Sequence, residues 1–310
     1  MKTVLLSSRA PRHWMAATVI VSGLIVAAGA SPAGAQDEKL PAIYVMDADG
    51  ANFRLLVKLD GKWAGSPNYS PDGKKLLFDA SPMGDFDQGH VYVIPAAGPA
   101  NDPTDLGIGS TPIWSPDSAH IVFYVHEGNP QQAEPGVWMM NADGSERVWL
   151  CYGKAPRWSP DGKQLMLINN PGGTGDGLYF YDLEKKESAA VLDRTYDRIA
   201  GAAWSPDGKR LAFIGFSGAG AELVIVPLVG EDQNGRVRLA GRIGYRPVWT
   251  PDSKFITCWI VGSEGRSQLH RVEADTAREP EPLAHQDQGR INSDPCWSPD
   301  GKRVAFISNR

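Results

Sequence analysis

A five-residue motif recurs six times along the chain and constrains its fold more than any other feature. It reads Tyr69-Ser70-Pro71-Asp72-Gly73, Trp114-Ser115-Pro116-Asp117-Ser118 and Trp158-Ser159-Pro160-Asp161-Gly162. It continues as Trp204-Ser205-Pro206-Asp207-Gly208, Trp249-Thr250-Pro251-Asp252-Ser253 and Trp297-Ser298-Pro299-Asp300-Gly301. Successive aspartates are 45, 44, 46, 45 and 48 residues apart. A period of roughly 40–50 residues is that of a four-stranded propeller blade. Proline presets φ at the second turn position, aspartate and serine side chains bond the turn backbone, and glycine accepts the positive φ that follows. Each motif is therefore a tight hairpin turn. Ser118 and Ser253 replace the glycine in two copies, so those turns are expected to be strained or of another type.

A short apolar strand follows every turn, for example Leu76-Leu77-Phe78, Ile121-Val122-Phe123 and Val304-Ala305-Phe306. The aromatic residue before each turn reads as packing between blades. A second motif interleaves with the first. Ile43-Tyr44-Val45-Met46, Val91-Tyr92-Val93-Ile94, Val137-Trp138-Met139-Met140 and their three equivalents read as third strands. The chain opens on third and fourth strands, about residues 42–59, and closes on first and second strands, residues 296–309. Joined, they complete a sixth blade and remove the exposed sheet edges. The reading is an all-β, six-bladed β-propeller of four-stranded antiparallel blades. Thirty-four glycines, 24 prolines and ten tryptophans fit many short strands joined by tight turns.

Residues 1–35 read as an export signal. Lys2, Arg9 and Arg12 precede an apolar run from about Trp14 to Ala28, and Ala33-Gly34-Ala35 supplies a small-x-small cleavage pattern. Residues 36–310 form the expected propeller domain, with no membrane span after cleavage. Removing those three cations from a chain of net charge −5 leaves −8. An acidic body argues against nucleic acid as a partner, since phosphate binding needs a basic surface. Cys151, Cys258 and Cys296 read as small buried hydrophobes rather than a disulfide framework.

The Trp-Ser-Pro-Asp-Gly-Lys run and the Ile-Tyr-Val-Met-Asp-x-Asp-Gly run at residues 43–50 resemble the repeat of the TolB-like propellers. The resemblance covers residues 42–309 and implies a monomeric protein of the periplasm or cell envelope with a protein or peptide partner. TolB itself carries a further α/β domain before its propeller. Here residues 36–42 alone separate the expected cleavage site from the first strand, so a chain without that domain is expected. The same repeat occurs in peptidases and polysaccharide lyases, and fold does not fix function.

The repetitive Ser-Pro-Asp-Gly turns share one face of the ring. Longer, irregular loops share the other, and variable loops on a rigid scaffold are where binding usually sits. Lys154, Arg198, Tyr245, Arg246, Arg290 and Asp294 on those loops are the candidate partner-binding residues. Arg246, Arg290 and Asp294 are expected near one channel mouth.

No catalytic residues, metal or cofactor are expected. The positions just before the proline of each first strand are Ser66, Thr111, Ala155, Gly201, Arg246 and Asp294, a poor cage for a divalent cation. Asp79, Asp85 and Asp87 offer a weak calcium loop at best. His90 and His126 lie on loops of adjacent blades, but the remaining histidines fall at unlike positions. Gly215-Phe216-Ser217-Gly218-Ala219 departs from the nucleophile elbow in its last residue. Gly172-Gly173-Thr174-Gly175 is followed by no Gly-Lys-Ser/Thr sequence. The function expected is a non-catalytic, exported scaffold that binds a protein or peptide. The alternatives are a secreted carbohydrate-active enzyme and a ligand-sensing module.

Overall fold

The computed structural model describes residues 40–310 apart from 84, 99–101, 169–176, 192–195, 219, 229–236, 241–242, 263–265, 277 and 287–288. The expected export signal, the glycine-rich Gly172–Gly175 stretch and Ala219 of the elbow-like sequence lie outside the described residues. Among the described residues no helix is long and apolar enough to cross a membrane.

Six four-stranded antiparallel sheets make up the fold. Blade one is β3 (Lys62–Tyr69), β4 (Lys75–Pro82), β5 (His90–Pro95) and β6 (Thr104–Ile108). Blade two runs from β7 (Ser110–Trp114) and β8 (His120–Val125) to β9 (Gly136–Asn141) and β10 (Val148–Cys151). Blades three and four begin with β11 (Lys154–Trp158) and β15 (Arg198–Trp204). Blade five begins with the two-residue β19 (Val248–Trp249), followed by β20 (Phe255–Val261). Blade six joins both ends of the chain. It is ordered β2 (Arg54–Val57), β1 (Ala42–Asp47), β24 (Arg303–Ser308), β23 (Asn292–Trp297). The β1–β24 register runs without interruption from Ala42↔Ser308 to Asp47↔Arg303.

The second strands carry the core. Phe78, Phe123, Phe213 and Phe306 stand at one repeat position and are wholly buried. Full burial of such a side chain is worth about 3 kcal/mol over exposure. Polar side chains then tie blade to blade. The Trp114 amide donates to Asn68 Oδ1 at 3.0 Å, and the Tyr69 amide reaches Cys296 Sγ at 3.4 Å. Trp249 Nε1 donates to the Ala203 carbonyl at 3.2 Å and Trp297 Nε1 to Thr257 Oγ1 at 2.9 Å. All three cysteines are free and buried, and burial pushes the Cys151 and Cys258 thiols up to about 12.

The six turns share one wiring. In the first, Ser70 Oγ donates to Asp72 Oδ1 at 2.6 Å and accepts from the Lys75 amide at 2.9 Å, while Asp72 Oδ1 accepts from the Lys74 amide at 3.0 Å. These bonds hold the Asp72 carboxyl below its ordinary value. Ser118 and Ser253 adopt φ of 61° and 60°, beside 71° at Gly73 and 72° at Gly162, so the turn type is common to all and the two serines bear its strain. Left-handed backbone costs a non-glycine residue about 1 kcal/mol.

The two serines differ in one respect. Ser253 Oγ accepts the Asp207 amide of the preceding blade at 3.1 Å. Ser118→Gly is therefore expected to stabilise the fold by up to about 1 kcal/mol. Ser253→Gly gains nothing, because an inter-blade hydrogen bond of about 1 kcal/mol is lost with it. Urea unfolding midpoints check this, and equal gains at both positions would contradict the inter-blade role of Ser253.

Candidate functional site

Two sets of repeat-equivalent positions on or beside the inner strands surround the channel, and of the first only Arg246 and Asp294 line its cavity. The upper ring is Ser66, Thr111, Ala155, Gly201, Arg246 and Asp294. In five of these the backbone is left-handed, with φ of 51° at Ser66, 50° at Thr111, 49° at Ala155, 56° at Gly201 and 47° at Asp294. Strand register slips at the same places, between Gly65 and Asn68, Ser110 and Ile113, Lys154 and Arg157, Ala200 and Ala202, and Ser293 and Cys296. A bulge in each of these five first strands thus re-aims the chain. Gly201 is required at its bulge, since a Cβ there would lie 1.6 Å from the Tyr245 carbonyl oxygen of the next blade.

The lower ring is the position before each aromatic residue: Asn68, Ile113, Arg157, Ala203, Val248 and Cys296. All six line a cavity of about 280 Å³ that reaches the Ser-Pro-Asp-Gly turns, with Pro116, Pro160 and Pro206 among its walls. Trp114, Trp158, Trp204 and Trp249 also line it. The aromatics before the turns therefore pack between blades and wall the channel as well.

Charge enters this cavity at three points. Arg246 Nη1 lies 3.6 Å from Asp294 Oδ2, with both side chains largely enclosed. Arg157 projects at the level below, and its Nη1 donates to the carbonyl of Pro156 at 2.8 Å. Enclosure, with repulsion from Arg246, lowers the Arg157 guanidinium to about 9, so it stays charged at neutral pH.

The other candidates stand elsewhere. The Arg198 guanidinium lies 4.1 Å from the Phe216 ring centre and 5.3 Å from that of Tyr245. Tyr245 stacks on Phe216 at 5.7 Å and meets Trp259 edge-on at 6.2 Å. This cation–π cluster joins blades four and five on the irregular-loop face. Lys154 begins β11 and is close enough to His126 to disfavour its charged form. Arg290 is exposed, its carbonyl accepts from Gln268 Nε2 at 3.3 Å, and its charge acts on Tyr44 of blade six. Of the three residues expected near one channel mouth, Arg246 and Asp294 pair inside the channel, and Arg290 stands on the loop before β23.

His90, His126 and His270 each take a different partner. His90 Nδ1 meets Asp105 at 2.9 Å, and His270 Nδ1 meets the Gln268 carbonyl at 3.0 Å. His126 Nε2 lies 3.0 Å from Ser110 Oγ, and its Nδ1 lies 3.7 Å from Asp87 Oδ1. Serine, histidine and aspartate fall in a row here, an arrangement that sequence reading missed. The Thr111 amide beside it donates to Asp79 Oδ2 at 2.6 Å, and the row ties blade one to blade two.

No protein-family model matches the chain. It is 29% identical over 138 residues to the uncharacterized protein Atu1656 of Agrobacterium fabrum, covering 41% of this chain and 46% of that one. It is 26% identical over 224 residues to the uncharacterized peptidase YuxL of Bacillus subtilis, covering 68% of this chain and 31% of that one. The matches thus span less than half the length of either relative. A solved structure described as TolB from Agrobacterium tumefaciens superposes with TM-score 0.69 at 19% identity, over 87% of this chain and 98% of that one. TolB from Acinetobacter baumannii superposes with TM-score 0.66 at 16% identity, over 84% of this chain and 66% of that one. The fold is a TolB-like six-bladed β-propeller. An oligogalacturonate lyase in complex with manganese shares the fold more distantly, with TM-score 0.53 at 15% identity, over 77% of this chain and 73% of that one.

Within this TolB-like propeller, sequence reading found the upper ring and missed the lower. The signal was present. Arg157 stands where the other five repeats carry Asn, Ile, Ala, Val and Cys.

Asp79, the acceptor of the Thr111 amide, is raised above its ordinary value of 3.8 by burial, against the opposing pull of that amide and of Arg246. The folded chain therefore holds this proton more tightly than the unfolded chain. The resulting stabilisation is full below pH 3.8 and is lost as pH rises through the raised folded value. Asp79→Asn, neutral throughout, is expected to show less loss of stability than the native chain between pH 4 and pH 7. Urea unfolding at both pH values reads the difference, and identical slopes would contradict the burial of an ionising carboxyl at this position.

Proposed function

We propose that this chain is an exported, non-catalytic TolB-like scaffold of the periplasm or cell envelope that binds a protein or peptide on its irregular-loop face. The observation that carries the reading is the Arg198–Phe216–Tyr245 cluster. All three side chains are partly exposed and held by one another across two blades. Arginine and tyrosine supported by packed aromatics are the usual composition of an interface hot spot. Mutual stacking fixes their rotamers before a partner arrives, which lowers the entropic cost of binding. Lys154 and Arg290 add cationic positions on other blades of the same ring.

The alternative, a secreted carbohydrate-active enzyme, calls for histidines or carboxylates converging at a channel mouth. The fold likeness to a manganese-bound lyase motivates it. His90, His126 and His270 having separate partners favours the scaffold instead.

The test is affinity capture from envelope extract with residues 36–310 as bait, followed by titration of the captured partner. Arg198→Ala and Tyr245→Ala are each expected to weaken that partner by tenfold or more, which is about 1.4 kcal/mol. Unchanged affinity in both variants would remove the loop-face cluster from the interface. Capture of no partner, together with turnover of an added polysaccharide, would favour the enzyme.

A further inference from the structure

The lower channel carries a cation, Arg157, that feels Asp294 only from beyond ion-pair distance. Arg157 interrupts a ring whose other members are Asn68, Ile113, Ala203, Val248 and Cys296. Hairpin packing does not require an arginine there, since five blades form without one. Two guanidinium groups, Arg157 and Arg246, share this cavity with one carboxylate, Asp294, and that carboxylate is 3.6 Å from Arg246. Among the described residues no carboxylate comes within ion-pair distance of Arg157. Its hydrogen bond runs to the carbonyl of its own neighbour, Pro156. A half-buried charge with no counter-ion in direct contact is unfavourable, and a bound anion relieves it. The guanidinium fork suits a carboxylate, with two parallel N–H donors for two oxygens.

Apart from Asn68 and Ser159, the remaining walls are mainly apolar. Trp158, Trp204, Val248 and the turn prolines enclose a space of about 280 Å³, small for a pocket, where roughly 300–1,000 Å³ is usual. Such a space holds a compact molecule. We propose that the lower channel is a binding site for a small free carboxylic acid. Its carboxylate sits on Arg157 with Arg246 alongside, and its apolar body lies against Trp158, Trp204 and Val248. The site lies inside the channel toward the Ser-Pro-Asp-Gly turns, and the inference does not rest on partner binding at the irregular-loop face.

Calorimetric titration of the mature chain with phenylacetate, and with the isosteric neutral phenylacetamide, tests it. Phenylacetate is expected to bind at least tenfold more tightly than the amide. Arg157→Gln is expected to weaken phenylacetate by tenfold or more. Asp294→Asn, which keeps a side chain suited to left-handed backbone and releases Arg246, is expected to tighten it. Thermal melts show whether each variant is folded, and the two variants act in opposite directions, so loss of structure cannot imitate the pattern. The proposal is overturned if phenylacetate does not bind or if the amide binds equally well. It is also overturned if Arg157→Gln leaves affinity unchanged, or if only a peptide bearing an aspartate binds.

Discussion

Backbone pairing between β1 and β24, from Ala42↔Ser308 to Asp47↔Arg303, is the interaction on which the rest of the structure depends. Without it, blade six would be a two-stranded hairpin and the ring would be open at that blade. An isolated pair of strands is marginal in water, and its edges invite pairing with other chains. Closing the ring fixes the blade-to-blade angle, and that angle sets which side chains meet across blades. The Tyr69–Cys296 contact at the blade six–one seam exists because the ends are joined. So does the cavity, whose wall includes Asn68 from blade one and Asp294 from blade six.

On this closed frame the repeat and its departures divide the work. The repeated serine, proline and aspartate make six equivalent turns and bring six equivalent positions to each level of the channel. Symmetry alone would leave that channel neutral. Arg157, Arg246 and Asp294 break it, and they do so at neighbouring levels of one enclosed space. Charges so placed interact more strongly than on a surface, because little water screens them. The aromatic cluster around Arg198 is a departure of another kind, built at the loop-face ends of two blade-four strands and on the loop that carries Tyr245.

Much of the fold was legible from local signals. Turn positions, second-strand phenylalanines and the split blade each follow from short-range patterns whose physical causes act within a few residues. The two serines in glycine positions were recognisable as strained, since φ there is dictated by the turn. The site was less legible because its contacts are non-local. That Arg246 meets Asp294 depends on bulges that displace the inner strands, and a left-handed Thr111 or Asp294 leaves no mark in the sequence. The Ser110–His126–Asp87 row joins two blades whose relative rotation no single repeat encodes. Arg157 is different, because aligning the six repeats exposes it directly.

Hydrogen–deuterium exchange of the folded chain tests ring closure most directly. If both ends form one sheet, the amides of Ile43, Val45 and Met46 in β1 open only with the whole ring. They should then exchange at the same slow rate as the amides of Phe306 in β24 and Phe78 in β4. Exchange of β1 that is orders of magnitude faster, while Phe78 and Phe306 stay protected, would show that the ring holds without its clasp and contradict the account.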